Sequence, residues 1–174
     1  MTIMRISSAR IAAIAGCTAV IAVFGAPVSY ADHQFKGTGL PDSSTQEFQG
    51  HSLTAKGTAA MKHGKQQLER SKIKTKWGSG DIHFFDGKYG KTGWFGQTRC
   101  EVRSGPKCGS FSIHFNQSEM GSRSTSAWES LGCHEVGHTG DLGHRKSSKS
   151  CMIDGNSFPR NYDAHDLWAI NKTL

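Results

Sequence analysis

Beyond residue 26 the chain has no apolar run long enough to cross a bilayer, no internal repeat and no nucleic-acid-binding motif. A spanning helix needs about 20 predominantly apolar residues, so no membrane span is expected after the N-terminal leader. The missing nucleic-acid motif matters because the chain is basic, with a formal charge of +7. Lys56, Lys62, Lys65, Arg70, Lys72, Lys74 and Lys76 form a cluster in which only Trp77 could stack on a base. A solvated face is therefore the expected role of these charges, and no nucleic-acid partner is expected.

What is present begins with an export signal. Arg5 and Arg10 precede an apolar stretch from Ile11 to Ala26, and Ser29-Tyr30-Ala31 offers small residues at the −3 and −1 positions of a cleavage site. Cys17 stands in a lipoprotein-like box, but the chain stays apolar through Phe24, which favours simple secretion with no mature membrane anchor. Removing residues 1–31 from 174 leaves 143, carrying +5 once Arg5 and Arg10 are gone, enough for one domain with a modest core. Cys100, Cys108, Cys133 and Cys151 remain. An even count in an exported chain favours two disulfides; of three connectivities, Cys100–Cys108 with Cys133–Cys151 is the expected one.

His134-Glu135-Val136-Gly137-His138, with His144 beyond it, is the most informative stretch. Positions i and i+4 share a helical face, so the imidazoles of His134 and His138 can converge on one zinc ion. Glu135 lies about 100° around the helix, near enough to act as general base on a zinc-activated water without being a ligand. On a continuous helix the Cα of His144 would lie about 9 Å beyond that of His138, so a third ligand there requires the chain to turn back. Gly140 and Gly143 are placed for that turn, and the helix should stop near Gly140. Asp141 is the alternative third ligand, because 134, 138 and 141 align on an uninterrupted helix. No glutamate follows Glu135, which excludes a late-chain glutamate ligand, although Asp154, Asp163 or Asp166 could serve at a distance.

The run 134–144, with Met152 eight residues later, resembles the metzincin zinc peptidases, whose signature is H-E-x-x-H-x-x-G-x-x-H followed by a methionine turn. It looks most like the small secreted matrixin-like or snapalysin-like metalloproteases of filamentous bacteria, although snapalysins have Asp at the place of His144. The resemblance implies zinc held by His134, His138 and His144, Glu135 as base, Met152 packed under the metal, and extended substrate bound along a sheet edge beside the cleft. Asp141 occupies the family's glycine position. Aspartate tolerates a left-handed conformation, and Gly140 could absorb the turn instead.

Residues 32–54 show no apolar periodicity and read as a polar extension or short pro-segment. The catalytic domain is expected over 55–174, opening with a helix over 55–70. Short strands follow at Ile73–Trp77, Asp81–Phe85 and Gly93–Cys100. Ser110–Asn116 alternates as a half-buried strand, with His114 on its polar face as a surface histidine. Ser126 with Glu129 would form the capping box of the active-site helix. A closing helix over Asp163–Lys172 would bury Leu167, Trp168 and Ile170, with His165 and Asp166 solvated or capping in its first turn. Tyr162 would line the pocket. Asn116 and Asn171 begin glycosylation sequons.

The expected fold is α+β, a metzincin (zincin-like) catalytic domain with a small twisted mixed sheet, an active-site helix and a C-terminal helix. The expected function is secreted, zinc-dependent endoproteolysis of protein or peptide substrates by a monomer. The rivals are a catalytically silent, zinc-stabilised secreted binding module and a zinc hydrolase of a non-peptide amide or ester.

Overall fold

The computed structural model describes residues 37–174; the leader, the lipoprotein-like box and the start of the polar segment lie outside them. Six strands and four helices follow in the order β1 (Leu40–Pro41), β2 (Thr45–His51), α1 (Ala55–Leu68), β3 (Lys74–Trp77), β4 (Ile82–Gly87), β5 (Gly96–Ser104), β6 (Lys107–Asn116), α2 (Gln117–Met120), α3 (Thr125–Thr139) and α4 (Ala164–Lys172). The strands form one mixed sheet. β2 pairs in parallel with β3 and β4, β4 pairs in parallel with β6, and β5 runs antiparallel along β6. β1 adds a two-residue parallel pairing at the start of β6.

Two expectations change here. Thr45–His51 belongs to the sheet, so the domain begins well before residue 55. Its buried positions are Gln46 and Phe48, with Gly50 exposed, and a single buried apolar side chain leaves no period to detect. Ser110–Asn116 is not half-buried at a sheet edge: β6 lies between β4 and β5, and Phe111, Ser112, Ile113, Phe115 and Asn116 are all buried. The edge facing the active-site helix is β5. Asn116 is wholly buried, its amide donating to the Gly90 carbonyl and Thr92 Oγ1, which closes that sequon to modification.

The core sits between the sheet and helices α1 and α3. Phe48, Ile82, Phe84, Phe111, Ile113 and Phe115 project from one sheet face onto Ala60, Leu68, Trp128, Leu131 and Val136. The two helices approach at Gly64 and Gly132. A Cβ at Gly132 would collide with the Ala60 carbonyl, and one at Gly64 would lie 2.5 Å from the Gly132 carbonyl oxygen. Gly64 weakens α1 as an isolated helix, yet it is what lets α3 lie this close.

Thr54 caps α1, accepting from the Gly57 amide at 3.1 Å. Ser124, not Ser126, caps α3, accepting from Ala127 at 3.3 Å. Glu129 is therefore free of a capping duty and pairs with Arg160 at 2.6 Å. Asp163 and Asp166 form the capping box of α4; Ile170 is fully buried, while Leu167 and Trp168 are only half-buried. The basic cluster is partly neutralised within the fold, since Lys76 pairs with Glu47 and Lys65 with Glu69. Among the described residues, no helix is long and apolar enough to cross a membrane.

Candidate active site

Helix α3 carries His134, Glu135 and His138, and it ends at Thr139. Gly140 follows at φ −93°, so it is not the residue that reverses the chain. Asp141 is, at φ +62°, the left-handed conformation that aspartate tolerates better than most side chains. The amides of Gly140 and Leu142 donate to the Gly137 carbonyl at 3.0 and 3.1 Å, and that of Asp141 to His138 at 3.2 Å. Leu142 is buried and anchors the turn. The chain then returns, and His144 comes back to the other two histidines.

The three imidazoles converge. Their ring centroids lie 4.9, 5.0 and 5.1 Å apart, and one donor atom from each lies within 4.8 Å of the others. Nε2 of His134 is 3.1 Å from Nε2 of His144. Nδ1 of His134 lies 2.8 Å from the Cys151 carbonyl oxygen, and Nδ1 of His138 lies 2.7 Å from that of Leu142. A carbonyl only accepts, so each of these Nδ1 atoms carries the hydrogen and each Nε2 keeps its lone pair. Burial pushes the His134 imidazole down to about 4, with the Cys151 hydrogen bond opposing and His144 assisting, so His134 is neutral at ordinary pH. Nitrogen lone pairs of neutral imidazoles, oriented by second hydrogen bonds, are the donor set that suits zinc. Asp141 is not in the group; among the described residues only His134, His138 and His144 form such a cluster.

The segment after His144 locks the site from below. The Arg145 amide donates to the Met152 carbonyl at 2.9 Å. Met152 is wholly buried, with its sulfur against the Cα of Gly137, between the two helical histidines. Both expected disulfides are present, Cys100–Cys108 and Cys133–Cys151, and the second joins the residues preceding His134 and Met152. Arg145 Nη1 reaches Asp163 at 2.7 Å and Asp166 at 3.1 Å, and Asp166 accepts from Ser150 Oγ at 2.7 Å. Asp166 is thus neither solvated nor a distant ligand, and Asp163 is similarly engaged. Asp154 Oδ2 stands 3.9 Å from His144 Nδ1. Tyr162 does not line the cleft: it is buried in the core and donates to the Cys133 carbonyl at 2.9 Å.

Glu135 is 3% exposed and opens onto the same cleft as the histidines, a cavity of about 440 Å³ bordered by β5, Phe95, Leu131 and Phe158. Desolvation holds its carboxyl up at about 7, opposed by a hydrogen bond from Thr98. Thr98 Oγ1 lies 2.7 Å from Glu135 Oε2, and a Cβ at Gly96 would come within 2.5 Å of Oε1. Gly96 and Thr98 escape sequence reasoning because nothing local says that this strand faces the helix. Gly37 and Thr38 also border the cleft, their amides donating to the carbonyls of Asp141 at 3.1 Å and His138 at 3.2 Å. His114 is half-buried, stacked on Phe85 and 3.0 Å from the Tyr89 hydroxyl, away from this site.

No protein-family model and no curated protein matches this chain. Among solved structures it is similar to archaemetzincin from Methanopyrus kandleri, with 12% sequence identity and a TM-score of 0.55, covering 76% of this chain and 97% of that one. The fold is thus the metzincin-like zincin fold, a mixed sheet with a histidine-bearing helix packed against it. The likeness extends to the fold and does not distinguish a matrixin-like or snapalysin-like subtype.

Proposed function

We propose that the chain is a secreted zinc-dependent endopeptidase acting on protein or peptide substrates as a monomer. The observation that carries this reading is the convergence of three imidazoles beside a buried glutamate on one cleft. His134, His138 and His144 would hold zinc. Zinc bound there would supply a Lewis acid that polarises a carbonyl and lowers the pKa of water to roughly 7. The carbonyls of Cys151 and Leu142 hold the two helical imidazoles in the required tautomer. Glu135 takes the proton of the attacking water and delivers it to the nitrogen of the leaving amine. The edge of β5 that pairs with no strand among the described residues would offer main-chain groups to an extended peptide, without demanding particular side chains. Two disulfides suit an oxidising, extracellular compartment, which is also where an export signal over 1–31 would send the chain.

Casein digestion with and without a chelator, beside zinc analysis, tests the reading. Glu135→Ala is expected to keep zinc and lose nearly all peptide hydrolysis; full activity in a zinc-loaded variant would refute the role of Glu135. His144→Ala should weaken zinc binding far more than Asp141→Ala, and the reverse order would move the third ligand. Stoichiometric zinc with no cleavage of any peptide would identify a silent binding module. Turnover restricted to other amides or esters would identify a different hydrolase.

A further inference from the structure

Glu135 stands in a buried place where few groups could hold it. It is 3% exposed, lies on the face of α3 turned toward β5, and meets that strand at Gly96 and Thr98. The strand alternates, so Gly96 and Thr98 face the helix while Gln97 and Arg99 face away. The glycine leaves the space that the carboxylate fills. The threonine supplies a hydroxyl 2.7 Å from Glu135 Oε2 and 2.9 Å from the backbone oxygen of the same residue. One hydrogen therefore has two acceptors, both on Glu135.

Resting on the peptidase reading, we propose that Thr98 is a positioning residue that keeps Glu135 in place while it carries a proton from the attacking water to the leaving amine. With the carboxylate ionised, the hydroxyl donates to Oε2. Once the carboxyl holds the travelling proton on Oε1, Oε2 remains an acceptor and the hydroxyl goes on donating to it, with the Glu135 backbone oxygen as its second acceptor. The side chain is thus held in both states, and no atom of Thr98 is consumed. Without the hydroxyl, the buried Oε2 would lose the hydrogen bond that fixes it, at the cost attached to an unsatisfied buried group. Thr98 also belongs to the strand whose edge would take the substrate, so closure of a peptide on β5 bears directly on the residue that holds the base.

The test compares Thr98→Val and Thr98→Ser with the wild type in the full-length, zinc-loaded protein. Valine keeps the shape and removes the hydroxyl; serine keeps the hydroxyl. The expected result is a kcat about 10–100-fold lower for Thr98→Val with KM little changed, and recovery to within about threefold for Thr98→Ser. Zinc affinity, measured by competition with a chelating dye, should be unchanged in both. Thr98→Ala replaces Thr98→Val if the latter does not fold. An unaltered kcat in Thr98→Val, a failure of Thr98→Ser to recover, or zinc loss that accounts for the whole effect would each overturn the proposal. Crystal structures of wild type and Thr98→Val give a reading independent of activity. A carboxylate displaced in the variant supports the positioning role, and one that stays overturns it. If the wild type itself cleaves no peptide, the peptidase reading fails and the crystallographic comparison still decides whether Thr98 holds Glu135.

Discussion

Nδ1 of His134 lies 2.8 Å from the carbonyl oxygen of Cys151, and the disulfide from Cys133 to Cys151 brackets that same contact. The cross-link joins the residue before the first histidine to the residue whose carbonyl orients it. The tautomer of His134 is thus set by a covalently tethered acceptor, 17 residues further along the chain.

Replacing both Cys133 and Cys151 by alanine should therefore do two things. The chain-entropy model assigns about 3 kcal/mol to a loop of this size, which chemical denaturation would read. Zinc affinity should also fall by about 10–100-fold, the usual effect of losing a group that orients a ligand. The Cys100/Cys108 double variant is the control, since that bond closes the β5–β6 hairpin. Equal zinc affinity in the two double variants would reduce the Cys133–Cys151 bond to a simple staple.

Gly132→Ala should destabilise the fold by at least about 1–3 kcal/mol, because the added methyl meets the backbone of α1 and no side chain can swing aside. Urea midpoints of wild type and variant measure this. An unchanged midpoint would mean that the two helices can separate at little cost.

Asp166 is wholly buried, and Arg145, at its side, is 7% exposed. Asp166→Ala leaves that guanidinium with Asp163 as its remaining carboxylate partner of the pair seen here. The expected loss lies below the roughly 3–5 kcal/mol that follows when a buried charge is left with no partner, because Asp163 still pairs with Arg145. Asp166→Asn, which keeps an acceptor for Ser150, should lose less. A denaturation series on the two variants ranks them, and the opposite order would show that the acceptor kept by asparagine contributes nothing at this position.

Two buried titrating groups pull the metal-free protein in opposite directions with pH. Desolvation holds the Glu135 carboxyl at about 7 against an ordinary 4.5, so its ionisation costs the fold stability as pH rises between those values. Burial holds His134 at about 4 against an ordinary 6.5, so its charging costs stability as pH falls through that window. Between 4.5 and 6.5 the two slopes oppose. Glu135→Gln removes the first, and stability of the metal-free variant should rise with pH across this window more steeply than that of the wild type. Parallel curves in denaturation series at several pH values would contradict the assignment.

The elements legible from sequence are those whose signal is carried by near neighbours. Helix α3 and the ends of α1 and α4 lie within a few residues of their expected places, because a 3.6-residue period and a capping side chain are local properties. The cap of α3 slipped by two residues, since Ser124 and Ser126 are equally able acceptors and only the path of the chain chooses. β2 is hidden for a different reason: a strand whose buried positions are Gln46 and Phe48 has no hydrophobic alternation, and its place follows from the neighbours on either side. Tyr162 shows the converse, a side chain with a polar tip that finds its partner in the core, at the Cys133 carbonyl.

By itself the sequence determined the spacing of His134, Glu135 and His138 on one helix and the need for a reversal before His144, because both follow from the pitch of a helix. Tertiary structure alone decided that Asp141 makes that reversal, that Cys151 and Leu142 orient the histidines, and that Thr98 meets Glu135. Each of these joins groups through a fold-dependent turn or across separate elements, and such contacts exist only once burial of the core has brought the sheet and helix together.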